Sequence, residues 1–477
     1  MATAHDDARV VRTITAVVLL AVASCGRPTA RPAAPIAPVH LTHAIAVGEV
    51  GATSAVVWGR CDRVTTLHVA VDHVSAHAVD VGTEHDFVGK VVLAGLSPGT
   101  AHHVRAWCGD GAAVEGAFRT APDPRTPTAV RMLWGGDVGG QNVCRDVDAG
   151  YAVFDRMAAR RPDFFVALGD LIYADDACLA VGRFGNPQIP GPPPARADVD
   201  AFRAHWRYAR ADAATQRFFT ATPYYAVWDD HEIQNDAGPH NQTLPDAPDA
   251  PRLAPARAAF LDYQPWAATD RLYRSARWGR HLELFLLDTR SYRDANPDLD
   301  VGPHPKTMLG DAQRRWLLDG VGGSDATWKV VVSSVPLSIP TNGDGWADGG
   351  VRTGFERELV AILAELRAAH VRNLVWITTD VHFATGFRST PFRGWHILEL
   401  TSGPLNAGFF PRPDVDPTLH PERLYFHGPE KAVRSFDEAR RYFNFGELDV
   451  GDDGSLTVRI VTGTGATAFE RRFVPMR

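Results

Sequence analysis

The sequence predicts an α/β layer protein preceded by a small β-sandwich, and three observations carry that prediction. Over residues 43 to 120 short apolar strands alternate with Gly, Pro and Asp turns. Past residues 122 to 127 the pattern changes to apolar strand, loop and amphipathic helix in repeating order, as a layered α/β fold requires. Four of the later strands run straight into acidic residues. The length of 477 residues suits one large α/β domain with an appendage, since domains run to roughly 100 to 200 residues. A composition 45% hydrophobic and 22% charged excludes a disordered, collagen-like or polytopic membrane chain. The net charge of -7, from 49 Lys plus Arg against 56 Asp plus Glu, offers no long-range attraction to nucleic acid, so any phosphate recognition is local.

The first 25 residues predict export. After Arg9 and Arg12 an apolar run covers residues 14 to 22, the length of a signal-peptide core and short of the roughly 20 residues that span a membrane. It ends in Val22-Ala23-Ser24-Cys25, small residues before a Cys, which resembles the lipobox of bacterial lipoproteins. Cys25 is then the expected lipid anchor and the one link to a membrane; an ordinary cleaved signal with an incidental Cys is the alternative. No adjacent Arg pair precedes the run, so a twin-arginine route is not supported. Residues 26 to 40 read as a Pro/Ala linker. The other four cysteines fall as Cys61 with Cys108 and Cys144 with Cys178, one pair per folding unit. Of the three possible connectivities this one is expected in an exported chain, and no C-x-x-C spacing supports thiol metal ligation.

Residues 41 to 121 form the expected sandwich, with strands at 54–59 and 103–107. The stretch Leu96-Ser97-Pro98-Gly99-Thr100 resembles the E to F corner of fibronectin type III-like domains, although His103 stands where their corner Tyr is usual. In the domain from 128 to 477, buried strands are expected at 129–134, 164–168, 224–228, 282–287, 328–333 and 374–378. Phe355, Leu359, Ile362, Leu363 and Leu366 recur at helix spacing within 354–370. Residues 182–195 and 233–256 are Pro-rich excursions long enough for lids or binding loops. Residues 446–474 contain a hairpin turning at Asp452-Asp453-Gly454.

Chemistry concentrates in four clusters: Gly136-Asp137, Gly169-Asp170-Leu171-Ile172-Tyr173, Asp229-Asp230-His231-Glu232 and Asp380-Val381-His382. An Asp at one strand end is usually a turn or helix cap. Four such clusters facing one crevice repel one another unless cations neutralise them, which points to a metal site of oxygen and nitrogen ligands. Fe, Mn, Zn and Ca all fit that ligand mixture.

The order strand-GD, strand-GD, strand-(N/D)HE, strand-DxH resembles the calcineurin-like metallophosphoesterases. Asp288-Thr289-Arg290-Ser291-Tyr292-Arg293, LGDAQRRWLL over 309–318 and Thr379-Asp380-Val381-His382-Phe383-Ala384 narrow the resemblance to the alkaline phosphatase D (PhoD-like) branch. The resemblance implies an αββα four-layer sandwich holding two or more metal ions, Fe(III) with Ca or another divalent ion. It implies that Asp170 bridges two metals, that Asp137 and Tyr173 complete one side, and that Asp230, Asp380 and His382 supply the rest. His231 is the implied hydrogen-bond donor or acid toward the phosphoryl group; a structural His in a turn, and a packed core phenol at Tyr173, are the plainer readings. The implied activity is hydrolysis of phosphate esters by a metal-held hydroxide, on small molecules or phospholipid. A phosphodiesterase or phospholipase D-type activity on the same site, and a non-enzymatic surface binding protein, remain as alternatives.

Two departures from the branch matter. Its first ligand is often Cys, where this chain has Asp137, and the superfamily Asn is matched by Asp230, which adds a negative charge. Arg290 and Arg293 fit either a phosphate clamp or buried Asp pairing, and Asn342-Gly343-Asp344-Gly345-Trp346 either a substrate-mouth loop or a surface turn.

Overall fold

The computed structural model describes residues 39–72, 76–242 and 248–476; the export segment, Cys25 and the linker as far as residue 38 lie outside the described residues. Period-two alternation builds the N-terminal part. Strands β1 (Leu41–Gly48), β2 (Ser54–Cys61), β3 (Thr65–Val71), β4 (His77–Val81), β5 (Val88–Ala94), β6 (Ala101–Cys108) and β7 (Val114–Arg119) form two groups, β1-β2-β5 and β4-β3-β6-β7. Leu67, Val69, Val104 and Ala106 are buried between them, while the alternate residues His103 and Arg105 are exposed. The Cys61–Cys108 disulfide joins β2 to β6 across the two groups.

The larger part begins with β8 (Val130–Gly135), α1 (Val153–Ala159), β9 (Phe164–Leu168), α2 (Val199–Arg210), α3 (Ala213–Ala221), β10 (Tyr224–Val227) and α4 (Ala250–Tyr263). It continues through β11 (Arg274–Trp278), β12 (Leu282–Leu286), α5 (Gly310–Gly323), β13 (Trp328–Val332), α6 (Glu356–Ala368) and β14 (Leu374–Thr378). It ends with β15 (Ala384–Phe392), β16 (Trp395–Thr401), β17 (Pro421–His427), α7 (Phe436–Ala439), β18 (Asn444–Val450), β19 (Leu456–Thr462) and β20 (Thr467–Phe473). Two sheets result, one ordered β20-β19-β18-β8-β9-β10-β1-β2-β5 and one ordered β11-β12-β13-β14-β16-β15-β17.

Alternation along the central strands sorts side chains into layers. Met132, Trp134, Phe164, Val166 and Leu168 meet Leu284, Leu286, Val330, Val332 and Ile377 in one core between the sheets. Leu133, Phe165 and Ala167 belong to a second core with Phe154, Trp206, Phe218 and Phe260 of α1 to α4. Phe285, Val331 and Trp376 belong to a third with Leu317, Leu359 and Ile362 of α5 and α6. The outcome is an αββα sandwich, in which each fully buried large apolar side chain contributes roughly 1.5 to 3 kcal/mol. Close packing is visible at Gly446 on β18, where a Cβ would fall 2.2 Å from the Trp134 ring, so a larger residue there would push the sheet apart.

Two features differ from the sequence expectation. The sandwich is not a separate sheet system: β1 pairs in parallel with β10 at Gly48 and Tyr224, extending the first sheet to nine strands. A side chain at Gly48 would collide with Pro265 and the Tyr224 carbonyl. Buried Asp86 adds a polar tie, accepting from Arg60 of β2, Arg207 of α2 and Tyr263 of α4. The Pro-rich excursion also stops earlier than expected, because α4 starts at Ala250 with Pro251 in its first turn, where a missing N–H costs nothing. Among the described residues no helix is long and apolar enough to cross a membrane.

Candidate metal centre

Strands β8, β9 and β10 run parallel, and the segments after them and after β14 converge. Asp137, Asp170, Asp380 and His382 turn there with φ of 62°, 50°, 79° and 55°, a left-handed backbone that costs a non-glycine residue roughly 1 to 2 kcal/mol. Gly169, at φ 91°, precedes Asp170; a Cβ on it would lie 2.5 Å from that of Asp229, so the two loops approach only through glycine.

The sequence-predicted residues come together. Asp137, Asp170 and His382 each offer an atom within 4.8 Å of the others, and so do Asp170, Asp230 and His231. Asp229, Asp230 and Asp380 form a further group, and Asp230, Asp236 and Asp344 another. Asp170 is thus shared by two groups and Asp230 by three. Tyr173 Oη lies 2.9 Å from His382 Nε2, and the Tyr173 ring sits 4.1 Å from that of His231. A cavity of about 420 Å³ opens over the group, lined by Asp170, Asp230, His231, Asp380 and His382.

Electrostatics follow from crowding and burial. Asp137 is fully buried; its Oδ2 accepts from the Thr379 hydroxyl at 2.5 Å, while its Oδ1 has no hydrogen-bond partner. Burial pushes the Asp137 carboxyl up to about 7, and Asp170 and Asp380 rise well above the usual range for the same reason, reinforced by their carboxylate neighbours. A cation among these oxygens reverses that penalty. His382 directs Nδ1 at the Gly408 carbonyl, 2.7 Å away, which places the proton on Nδ1 and leaves the Nε2 lone pair facing Tyr173 and Asp137. Burial pushes this imidazole down to about 3, so it stays neutral, the ligating form. His231 is the opposite case. Burial opposes its charge, but Asp175 at 2.7 Å, Asp230 and Asp170 outweigh burial and hold it well above the ordinary histidine value.

Supporting groups fix these loops. Glu232 accepts from the backbone N–H of Asp170, Leu171 and Asp229 at 2.9, 2.8 and 2.8 Å, joining two loops through one carboxylate. The Cys144–Cys178 disulfide joins the loops after β8 and β9. Arg290 and Arg293 are wholly buried: Arg290 donates to Asp229 at 2.5 Å and to both oxygens of Asp344, and Arg293 donates to Asp344 at 2.6 Å. Of their two sequence readings the Asp pairing holds, and both guanidinium groups are buried behind the residues that line the cavity. The 342–346 loop likewise lines the cavity through Asn342 and Asp344 rather than forming a surface turn. Sequence reasoning missed Asp175 and Asp236 as partners of the site, and it placed Glu232 in its cluster without a role. Their signal was proximity alone, each lying within a few residues of a ligand candidate.

The PhoD-like phosphatase family model matches residues 133–453, two thirds of the chain and every residue of the centre. The chain belongs to the PhoD-like phosphatase family. A model of the PhoD-like phosphatase N-terminal domain matches residues 27–122, over the sandwich. Alkaline phosphatase D of Bacillus subtilis (strain 168) is 26% identical over 269 residues, which cover 50% of this chain and 44% of that protein, so the match spans less than half its length. The solved structure of PhoD superposes with a TM-score of 0.73 at 18% identity, covering 93% of this chain and 94% of that one. The PhoD-like fold, sandwich included, therefore extends over nearly the whole chain.

Proposed function

We propose that this PhoD-like chain is an exported, metal-dependent phosphoric ester hydrolase. Asp137, Asp170, Tyr173, Asp230, Asp380 and His382 hold two or more metal ions, and His231 is the catalytic acid. The observation that carries the reading is the overlap of the groups: Asp170 stands with Asp137 and His382 on one side and with Asp230, beside His231, on the other, and Asp230 stands in turn with Asp380. The residues fit cations: Asp137 Oδ1 is buried without a partner, and His382 is fixed in the ligating tautomer. The phenol, imidazole and carboxylates beside Asp137 suit Fe(III), and the carboxylates around Asp230 suit Ca or another divalent ion. When bound, two cations neutralise the carboxylates, make water a usable nucleophile near neutral pH and draw charge from the phosphoryl oxygens.

The protein's own groups do the rest. His231 Nδ1 is held by Asp175, which leaves Nε2–H for the cavity. As water oxygen bonds to phosphorus and the phosphorus to alkoxide bond breaks, the Nε2 proton passes to the leaving oxygen, and solvent takes the water proton. Glu232 orients the Asp170 and Asp229 loops, and Arg290 ties Asp229 to Asp344. The sandwich of residues 41–121 braces the catalytic domain of residues 128–477 through β1 and Asp86. Export, through a cleaved signal with or without an anchor at Cys25, accords with two disulfides. Small phosphate esters or phospholipid headgroups are the proposed substrates.

Metal analysis of the purified protein, with hydrolysis of a phosphomonoester and a phosphodiester before and after chelation, tests this reading. Bound metal and chelator-sensitive turnover are expected, and the ratio of the two rates assigns the ester class. A folded, metal-free protein that hydrolyses neither overturns it in favour of a binding role.

A further inference from the structure

The metal-side cavity adjoins a second groove of about 320 Å³, and both are lined by Phe410 and Pro411. Phe410, 44% exposed, stacks on the His382 ring at 4.6 Å, so this aromatic wall divides the candidate ligands from the groove. The far side carries Phe184 and Phe409, whose rings lie 5.8 Å apart, and Phe409 rests on Phe443 at 5.4 Å. Arg183 and Lys431 also line it. Arg183 is held in place: its backbone N–H donates to Asn142 at 2.8 Å, its neighbour Gly182 bonds Asn186, and its guanidinium lies against Gly408, the residue that fixes His382. Among the described residues neither Arg183 nor Lys431 forms an ion pair, although Glu430 lines the same groove.

That placement separates two electrostatic surroundings. No lysine or arginine is among the described residues that line the metal-side cavity, whose ionisable groups are carboxylates and the imidazoles of His231 and His382; Arg290 and Arg293, the arginines of the 288–293 motif, pair with Asp229 and Asp344 instead. The unpaired cations stand one aromatic wall away. A simple alkyl phosphate leaves them without use, whereas an ester whose alcohol carries a second anionic group meets them with its far end. Resting on the phosphoesterase reading above, we propose that this groove is the leaving-group subsite. Arg183 and Lys431 there bind a second phosphate or carboxylate on the substrate's organic arm, and Phe184, Phe409 and Phe410 cover the carbon skeleton between the two anions.

The test compares propane-1,3-diol monophosphate with the corresponding bisphosphate, following phosphate release by the wild-type protein, R183A, R183K and K431A. Wild-type kcat/KM is expected to favour the bisphosphate, and raised salt is expected to shrink the preference. In R183A the bisphosphate to monophosphate ratio falls about tenfold, the size of one charge-assisted hydrogen bond at a partly exposed site. The change resides in KM, and R183K restores part of it. K431A lowers the ratio in the same direction. A ratio unchanged in R183A and K431A, or a wild type without preference, overturns the subsite while leaving the phosphoesterase reading intact. Hydrolysis of neither ester by the metal-loaded wild type overturns both.

Discussion

Asp344→Asn is the substitution that most directly tests how the centre is held. Asp344 is 2% exposed, and its two oxygens take four hydrogen bonds: Oδ1 from Arg290, Arg293 and Asn296 at 2.6, 2.6 and 2.8 Å, Oδ2 from Arg290 at 2.8 Å. Asparagine keeps the shape and one acceptor, but turns an amide toward Arg290, leaving that buried guanidinium against Asp229 and the more distant Asp230 and removing the carboxylate that Arg293 pairs with. Removing one partner of a buried pair costs about 3 to 5 kcal/mol, and the retained acceptor puts this case near the lower end, about 3 kcal/mol. With unfolding entropy of about 2.1 cal/mol/K per residue over roughly 440 residues, that loss lowers Tm by about 3 °C. The pH dependence carries a sign. Burial raises the Asp344 carboxyl, but Arg290 and Arg293 outweigh burial and hold it well below the usual range. Its stabilisation is therefore complete above about pH 4, the unfolded value, and fades as pH falls below it, so the gap between wild type and variant narrows in acid. Metal affinity falls as well, because Arg290 Nη2 already lies 3.7 Å from Asp230 and moves toward that carboxylate once Asp344 is neutral. Denaturant titration in chelator and in saturating metal measures both effects. A variant within about 0.5 kcal/mol of wild type in both conditions refutes the network as the support of Asp230.

Other perturbations report on other parts. Asp170→Asn removes the carboxylate shared by two groups; a loss of at least about a thousandfold in kcat/KM with an unchanged circular dichroism spectrum is expected, and retained turnover would remove Asp170 from the centre. Replacing Cys144 and Cys178 by Ser frees a 34-residue separation, worth about 4 kcal/mol in chain entropy, and releases the Asp137 and Asp170 loops; metal release on dilution quickens, whereas the Cys61 and Cys108 pair of substitutions lowers Tm without that quickening. His382, held neutral with its value pushed down to about 3, stabilises the metal-free fold above about pH 6.5 and loses that contribution as pH falls toward 3. His382→Asn should flatten the metal-free stability profile across that window, with the denaturation midpoint as readout.

Much of this was legible because buried parallel strands announce themselves as apolar runs. The segments 164–168 and 374–378 are strands to the residue, and the Leu359, Ile362, Leu363 and Leu366 stripe lies on the buried face of α6. What escaped was of two kinds. Strands β11, β17 and β20 alternate charge with few apolar residues, since they lie at or next to sheet edges where one side meets solvent. The joining of β1 to β10 was invisible because it depends on Gly48 meeting Pro265 and Tyr224 far along the chain, a contact with no local pattern. The site divides in the same manner. Ligand candidates sit at strand ends with recognisable neighbours, whereas Asp344 reaches Arg290 across 54 residues and reads locally as a glycine-rich turn.

The backbone at the centre explains why those strand ends carry the ligand candidates. Asp137, Asp170, Asp380, His382 and Asp236 each adopt positive φ, from 50° to 79°, and at roughly 1 to 2 kcal/mol apiece the strain approaches the whole stability of a small domain. Local propensity cannot hold such a set. The loops are held by groups outside them: Glu232 on three amides, Thr379 on Asp137, and the disulfide between the first two loops. Behind them the three apolar cores fix the strands from which they spring. Carboxylate oxygens delivered by such a frame are already gathered, so a cation that binds among them would relieve their repulsion without a further ordering cost. The same frame predicts that the second side of the centre is the more yielding one. Asp236 is only partly buried, and its N–H bonds Asp230 rather than a distant loop, so the ion beside Asp230 should exchange faster than the ion beside Asp137. Stepwise chelation with metal counted at each step distinguishes the two, and simultaneous loss of both ions would show that the frame yields as one piece.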